Sequence, residues 1–296
     1  MNASAAPSNS SNQRSRLLVW CLCAACVIIH FGITQARPWT WQNLSKWGYF
    51  PTRAIWWNRA IWLYITNVFI HLQLWHLAFN LYWLWQFGTR IMTAIGVRKW
   101  GLLFLLSAFV SSGFQLLCSG ELGIGASGVV YAFFGFMWVT KNKYPIFQEM
   151  ITKQNVALFL GWLILCVVTT WLKIWNIGNA AHISGLLFGM LLGFHSLSGK
   201  FLNSYVGLEI LFLLFALVPV RWCPLSVDWM NFQAYKEQSH GYLDNAVMLY
   251  SRAIAKNPKN AWSYYQRGLT FKTKGHKQEA QQDFDAAHRI DPRYGN

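Results

Sequence analysis

From Leu17 to Val220 the chain carries only three acidic side chains, Glu121, Glu149 and Glu209, while apolar runs follow one another with short basic stretches between them. A segment of that kind has too little polar surface to fold around a core in water. In lipid its backbone must satisfy its own hydrogen bonds, which leaves helices as the spanning element. After Trp222 both signs of charge become dense, so two parts of one chain are built for two solvents. Charged residues are 12% of the whole, about half the ~25% of an average soluble domain. The net charge of +15 does not imply a nucleic-acid partner, because no basic face alternates with stacking aromatics. The basic residues sit between apolar runs, where they hold loops against anionic lipid. Cys21, Cys23 and Cys26 share the first apolar run, and Cys118 and Cys166 lie in others. They read as small apolar residues rather than disulfides or metal ligands, and no metal or cofactor is expected.

Residues 1–16, rich in Ser, Asn and Ala, are expected to be disordered. Apolar runs then cover about 17–34, 62–87, 100–118, 126–140, 155–174, 180–196 and 202–220. Between the first two, Trp39, Trp41, Trp47, Trp56 and Trp57 with Pro38 and Pro51 describe an irregular segment at the membrane interface. With the N-terminus in the cytoplasm, Arg14, Arg16, Arg90, Arg98, Lys99, Lys141, Lys143, Lys153 and Lys200 fall inside. Arg37, Lys46, Arg53, Arg59, Lys173 and Arg221 fall outside. In that orientation His76, Asn80, Ser127 and His182 all lie in the outer half of their spans. Glu209 lies near the inner end of 202–220, close enough to water for that run to span. The tail beyond it is then extracytoplasmic; if Glu209 instead keeps the segment at the interface, the tail is cytoplasmic.

Polar groups at one depth in lipid are costly unless they pair or act. Ser127 stands in Gly125-Ala126-Ser127-Gly128 at the start of a helix, where unpaired N–H groups favour a developing oxyanion. A serine needs a base to become nucleophilic, and His182 is the histidine the same depth permits. Its helix carries Ala181, Gly185, Gly189 and Gly193 at every fourth position, a stripe that admits a close neighbour. Tyr131 is one turn from Ser127, placed to stack on the imidazole. Glu121 is the only acid near enough for a triad, and a Ser127–His182 dyad is the better reading. His76 and Asn80 share one helix face and, with the Ser127 N–H, can donate to a tetrahedral oxyanion. His71 is about 140° round the same helix from His76, which disfavours a metal pair.

The segments His71-Leu-Gln-Leu-Trp-His76-Leu-Ala-Phe-Asn80, Gly125-Ala-Ser127-Gly128 and Ala181-His182-Ile-Ser-Gly185-Leu-Leu-Phe-Gly189 resemble the three signature motifs of rhomboid intramembrane serine proteases. The resemblance covers residues 17–196. It implies Ser127 as nucleophile, His182 as general base and acid, and His76, Asn80 and Gly125 at the oxyanion hole, with Tyr131 and His71 in support. It also implies a six-helix core that cuts transmembrane helices near their outer ends, most often in a bacterial inner membrane with the active site facing outward. Two positions depart from the family pattern. A usual Trp-Arg pair is Trp62-Leu63, with Arg59 as a substitute, and an acid often found after Phe87-Gly88 is replaced, Met92 following there. A rhomboid-like escort that binds membrane clients without cutting is the alternative; a transporter fits less well, since no ionisable pathway crosses the apolar part.

Residues 227–296 repeat at a period of 34: Gly241 and Gly275, Ala246 and Ala280, Tyr250 and Phe284, Ala253 and Ala287, Pro258 and Pro292. This resembles two tetratricopeptide helix pairs, for which a peptide or protein ligand is expected. The architecture expected overall is all-α. A polytopic membrane helical bundle at 17–196 is followed by a seventh helix and linker at 197–222, then by a small repeat domain. Its partners are the lipid bilayer and transmembrane protein substrates.

Overall fold

A computed structural model describes residues 9–198 and 204–294, all helical and turn with no strand among them. In chain order the helices are α1 (Asn9–Gln35), α2 (Trp41–Ser45), α3 (Ala54–Trp57), α4 (Leu63–Thr66), α5 (Leu74–Ile95), α6 (Val97–Ser119) and α7 (Ser127–Thr140). They continue as α8 (Lys153–Trp171), α9 (Asn179–Ser198), α10 (Ser204–Arg221), α11 (Val227–Ser239), α12 (Leu243–Lys256), α13 (Ala261–Thr273) and α14 (Lys277–Ile290). The chain forms two compact units that are discontinuous in sequence. Residues 52–61 and 119–121 belong with everything from Val220 onward, and the rest forms the first unit.

In the first unit, the Arg16–Gln35 part of α1 and all of α6, α8, α9 and α10 are long and apolar enough to cross a membrane. α7 has only 14 residues, about 21 Å of helix against ~30 Å of hydrocarbon. Its residues are nearly all buried, so protein rather than lipid surrounds its ends. Two expectations need correction. The 1–16 stretch is not disordered throughout, because α1 is already helical at Asn9; residues 1–8 lie outside the described residues. Once the apolar span has nucleated a helix, extending it through helix-forming Gln13, Arg14 and Arg16 is cheap. The 62–87 run is not one helix either. The chain turns through α4 and a 3₁₀ turn at Asn67–Phe69, passes extended through Ile70, and restarts as α5, which continues past Phe87-Gly88 to Ile95. The break persists because tertiary bonds take over backbone groups the helix would have paired. His30 of α1 bonds the His71 carbonyl through Nδ1 at 2.7 Å, and the Asn67 carbonyl accepts the Gly125 N–H at 3.0 Å. α5 ends at Gly96, whose φ of +82° suits glycine.

Apolar transfer does not drive helices together in lipid; close packing does. The closest contact joins α7 and α9. A Cβ on Gly185 would strike the Gly128 carbonyl, one on Gly189 the Ala132 carbonyl, and one on Gly135 the Leu186 carbonyl. At Gly193 it would lie 2.9 Å from the Val139 Cβ. Trp83, Leu84, Phe87, Ile91 and Met92 of α5 pack with Trp100 and Phe104 of α6, Phe133 and Phe134 of α7 and Phe159 of α8. The Phe134 and Phe159 rings stack 4.5 Å apart. Leu63 is fully buried and Met92 nearly so, so apolar packing fills both positions that depart from the family pattern. α10 packs on α6 and α9: Phe212 and Leu213 cover Val110, Phe188 and Leu191, and a Cβ at Gly113 would lie 2.6 Å from that of Ala216. Glu209 does not stand alone in α10, since its carboxyl meets His195 Nδ1 of α9 at 2.8 Å.

In the second unit α11 with α12 and α13 with α14 form two helical hairpins, each helix starting 34 residues after its counterpart. Gly241 and Gly275 turn the two hairpins at φ +81° and +85°. Ala246, Tyr250, Ala253, Ala280 and Ala287 are buried as the repeat requires. Arg267 forks onto Asp283 with two 2.8 Å bonds and also donates to Ser251.

Gly189→Val should lower the thermal unfolding midpoint of the detergent-solubilised protein sharply, by more than the ~1–3 kcal/mol of ordinary overpacking, because backbone rather than side chain must yield. Gly161→Ala, at an open position on α8, should leave the midpoint unchanged.

Candidate active site

Ser127 opens α7, so its N–H and those of the next residues have no acceptor within the helix. The residue before the turn, Gly125, takes φ +96°, and a Cβ there would lie 2.6 Å from His76 Cε1 and 2.8 Å from Nε2. Glycine is thus needed for both the backbone and the imidazole packed on it. His182 lies on the first turn of α9, four residues after Gly178, whose carbonyl accepts its N–H. Gln115 Oε1 on α6 accepts the Ala181 N–H at 3.1 Å and so caps that turn.

The α7–α9 contact brings His182 Nε2 to 2.7 Å from Ser127 Oγ. The Tyr131 ring stacks on the imidazole at 4.8 Å between centroids, and its hydroxyl donates to the Phe159 carbonyl at 2.9 Å. His182 is 5% exposed, and its Nδ1 has no partner among the described residues. If Nε2 accepts the serine proton, Nδ1 carries the ring hydrogen. Among the described residues no carboxylate bonds it, and the Glu121 carboxylate accepts the Thr52 hydroxyl at 2.9 Å. The pair is a dyad.

His76 and Asn80 follow one another on α5, where the Asn80 amide donates to the His76 carbonyl at 3.1 Å. Asn80 Oδ1 is buried without a partner among the described residues. The Gly125 N–H serves the Asn67 carbonyl at 3.0 Å. The glycine's part is to admit the His76 ring and to turn the chain into α7. His71 is not on the helix of His76 as the sequence suggested. It precedes α5, and the two rings lie 5.0 Å apart. Its Nδ1 faces the Phe69 carbonyl at 3.2 Å while Nε2 accepts the Ala126 N–H at 3.3 Å. Both nitrogens are engaged, so His71 holds the backbone beside Ser127 and offers no lone pair to a metal.

Sequence reasoning passed over His30, Asn67 and Gln115. Each is buried, and each side chain bonds backbone rather than a reacting group: His30 Nδ1 the His71 carbonyl, Asn67 Nδ2 the Gly123 carbonyl, and Gln115 Oε1 the Ala181 N–H. The usable signal was the cost of placing a histidine and two amides in apolar runs.

Residues 58–199 match the rhomboid domain family, and residues 249–282 match a tetratricopeptide repeat. Curated relatives named rhomboid protease GlpG from Salmonella paratyphi A, Salmonella typhi and Salmonella newport are each 29% identical over 185 residues, 62% of this chain. The chain spans 64% of the length of these relatives. The chain thus matches a rhomboid domain in its apolar part and a tetratricopeptide repeat in its tail, and its long apolar helices make it an integral membrane protein.

His30→Leu removes the bond to the His71 carbonyl and leaves a buried acceptor unpaired, a cost of about 1–3 kcal/mol. The expected result is a lower unfolding midpoint with faster hydrogen exchange at 70–73, measured in detergent.

Proposed function

We propose that this protein is an intramembrane serine endopeptidase that cuts transmembrane segments of other membrane proteins near their outer ends. The observation that carries the reading is the 2.7 Å contact between Ser127 Oγ and His182 Nε2, in a helix-start setting that can also receive an oxyanion. Ser127 Oγ attacks the scissile carbonyl while His182 Nε2 takes its proton. Tyr131, stacked on the ring, keeps that nitrogen facing the hydroxyl. The tetrahedral oxyanion is met by the Ser127 N–H with His76 and Asn80, both on the helix face nearest Gly125. His182 then gives its proton to the leaving amine. A water, activated by the same imidazole, hydrolyses the acyl-enzyme and restores Ser127.

Burial makes the missing third member tolerable. An imidazole packed between Tyr131 and its own helix has little rotational freedom, so orientation comes from packing instead of a carboxylate. The escort reading gains nothing from Leu63 and Met92, since both positions are filled by core packing.

We further propose a bacterial inner membrane with the Ser127 end facing outward, and a crossing by α10 that puts the tail on that face. The His195–Glu209 pair supports the crossing by removing an unpaired carboxylate from the span.

Purified enzyme should cleave a rhomboid transmembrane substrate in detergent and be labelled by a fluorophosphonate, with Ser127→Ala and His182→Ala losing both. Cleavage that survives Ser127→Ala would sink this mechanism. Asn80→Ala should lower kcat by roughly 10²–10³, the loss typical of one oxyanion donor. For the topology, a membrane-impermeant maleimide applied to intact cells should label Lys259→Cys and spare Lys141→Cys, both in a background without native cysteine. Equal labelling of the two would exclude the crossing by α10.

A further inference from the structure

Tetratricopeptide tails are usually read as receptors for outside peptides, but here the aromatic face of the repeat has an occupant from its own chain. Trp57, at the end of α3, sits among Phe232 and Tyr235 of α11 and Trp262 of α13, with ring centroids 5.3, 5.1 and 5.7 Å away. All three belong to the first helices of the two repeats. Two polar ties flank this anchor. The Asp228 carboxylate accepts the Arg53 backbone N–H, so an acid from α11 caps the start of α3, where helix N–H groups lack partners. The Thr52 hydroxyl donates to Glu121 at 2.9 Å and so joins the 52–61 segment to the 119–121 turn. That turn is itself fixed by the start of the tail. Gly120, at φ +79°, leaves no room for a Cβ against the Leu225 carbonyl, and Ser226 N would lie 2.7 Å from one.

We propose that the repeat tail is a brace acting within its own chain: its first-helix surface holds residues 52–61, with Trp57 as anchor, and through them and Gly120 it fixes two loops that feed the active site. The connection is covalent. Glu121 precedes Ser127 by six residues, and Ile61 precedes Asn67, whose carbonyl holds the Gly125 N–H, by the same number. A brace at these points limits how far the turn into α7 can wander. Three aromatic contacts and the Asp228–Arg53 tie make a surface that an external peptide reaches only by displacing Trp57. The docking of the tail is independent of the catalytic reading; its effect on turnover rests on it.

Hydrogen exchange on the full-length protein in detergent tests the brace directly. Trp57→Ala should speed exchange by roughly tenfold or more in 52–61, 119–121 and α11. α7 and α9 should stay as protected as in the wild type. Trp57→Phe should restore most of the protection, which a general packing defect would not allow. Asp228→Asn, which keeps the fold of α11 and weakens the cap on α3, should give a smaller change at the same three segments. In cleavage assays Trp57→Ala should lower kcat several-fold with KM unchanged, because fewer molecules hold Ser127 aligned. Unchanged exchange at 52–61 and 119–121 in both Trp57→Ala and Asp228→Asn would overturn the brace. Faster exchange with unaltered kcat would overturn its role in catalysis while leaving the docking. A wild type that neither cleaves nor takes the fluorophosphonate would count against the protease reading alone.

Discussion

Contact between the α7 and α9 backbones is the constraint on which the rest depends. Gly185 and Gly189 admit the carbonyls of Gly128 and Ala132, and Gly135 admits that of Leu186, at distances no side chain would permit. Packing at that range supplies the association energy that the hydrophobic effect withholds in lipid. It also sets geometry: His182 stands on the first turn of one helix and Ser127 on the first turn of the other. Once the glycines interlock, the two side chains have no other place to meet.

A short α7 follows from the same requirement. Its 14 residues are enclosed by α5, α6, α8 and α9, so the turn before it can be irregular without exposing backbone to lipid. That turn is secured by side chains from elsewhere. His71 takes the Ala126 N–H, the Asn67 carbonyl takes the Gly125 N–H, and His30 holds the His71 carbonyl. The polar residues of the apolar runs thus divide between a few that can react and others that keep those few in register.

Much of this was legible in the chain. The three motifs named Ser127, His182, His76 and Asn80; the four-residue spacing of Ala181, Gly185, Gly189 and Gly193 named the helix face that α7 meets; and the 34-residue period named the paired helices of the tail. Periodicity reports which face of a helix is special, and spacing reports which residues share it. Neither reports where a helix stops when tertiary bonds replace its own. The run from 62 to 87 therefore read as one span, and His71 was assigned to a helix it precedes.

By itself the sequence determined that the chain enters a membrane and that a charge-rich repeat follows, and it singled out a serine and a histidine within the apolar runs. These are consequences of composition and local pattern, which act over a few residues. Tertiary structure alone brought Ser127 Oγ to His182 Nε2 and left the His182 Nδ1 without a partner among the described residues. It also decided that Asn67 rather than an oxyanion takes the Gly125 N–H, and that Trp57 occupies the aromatic face of the repeats. Each joins groups tens to hundreds of residues apart, and such pairings are fixed only when the competing partners have all been packed.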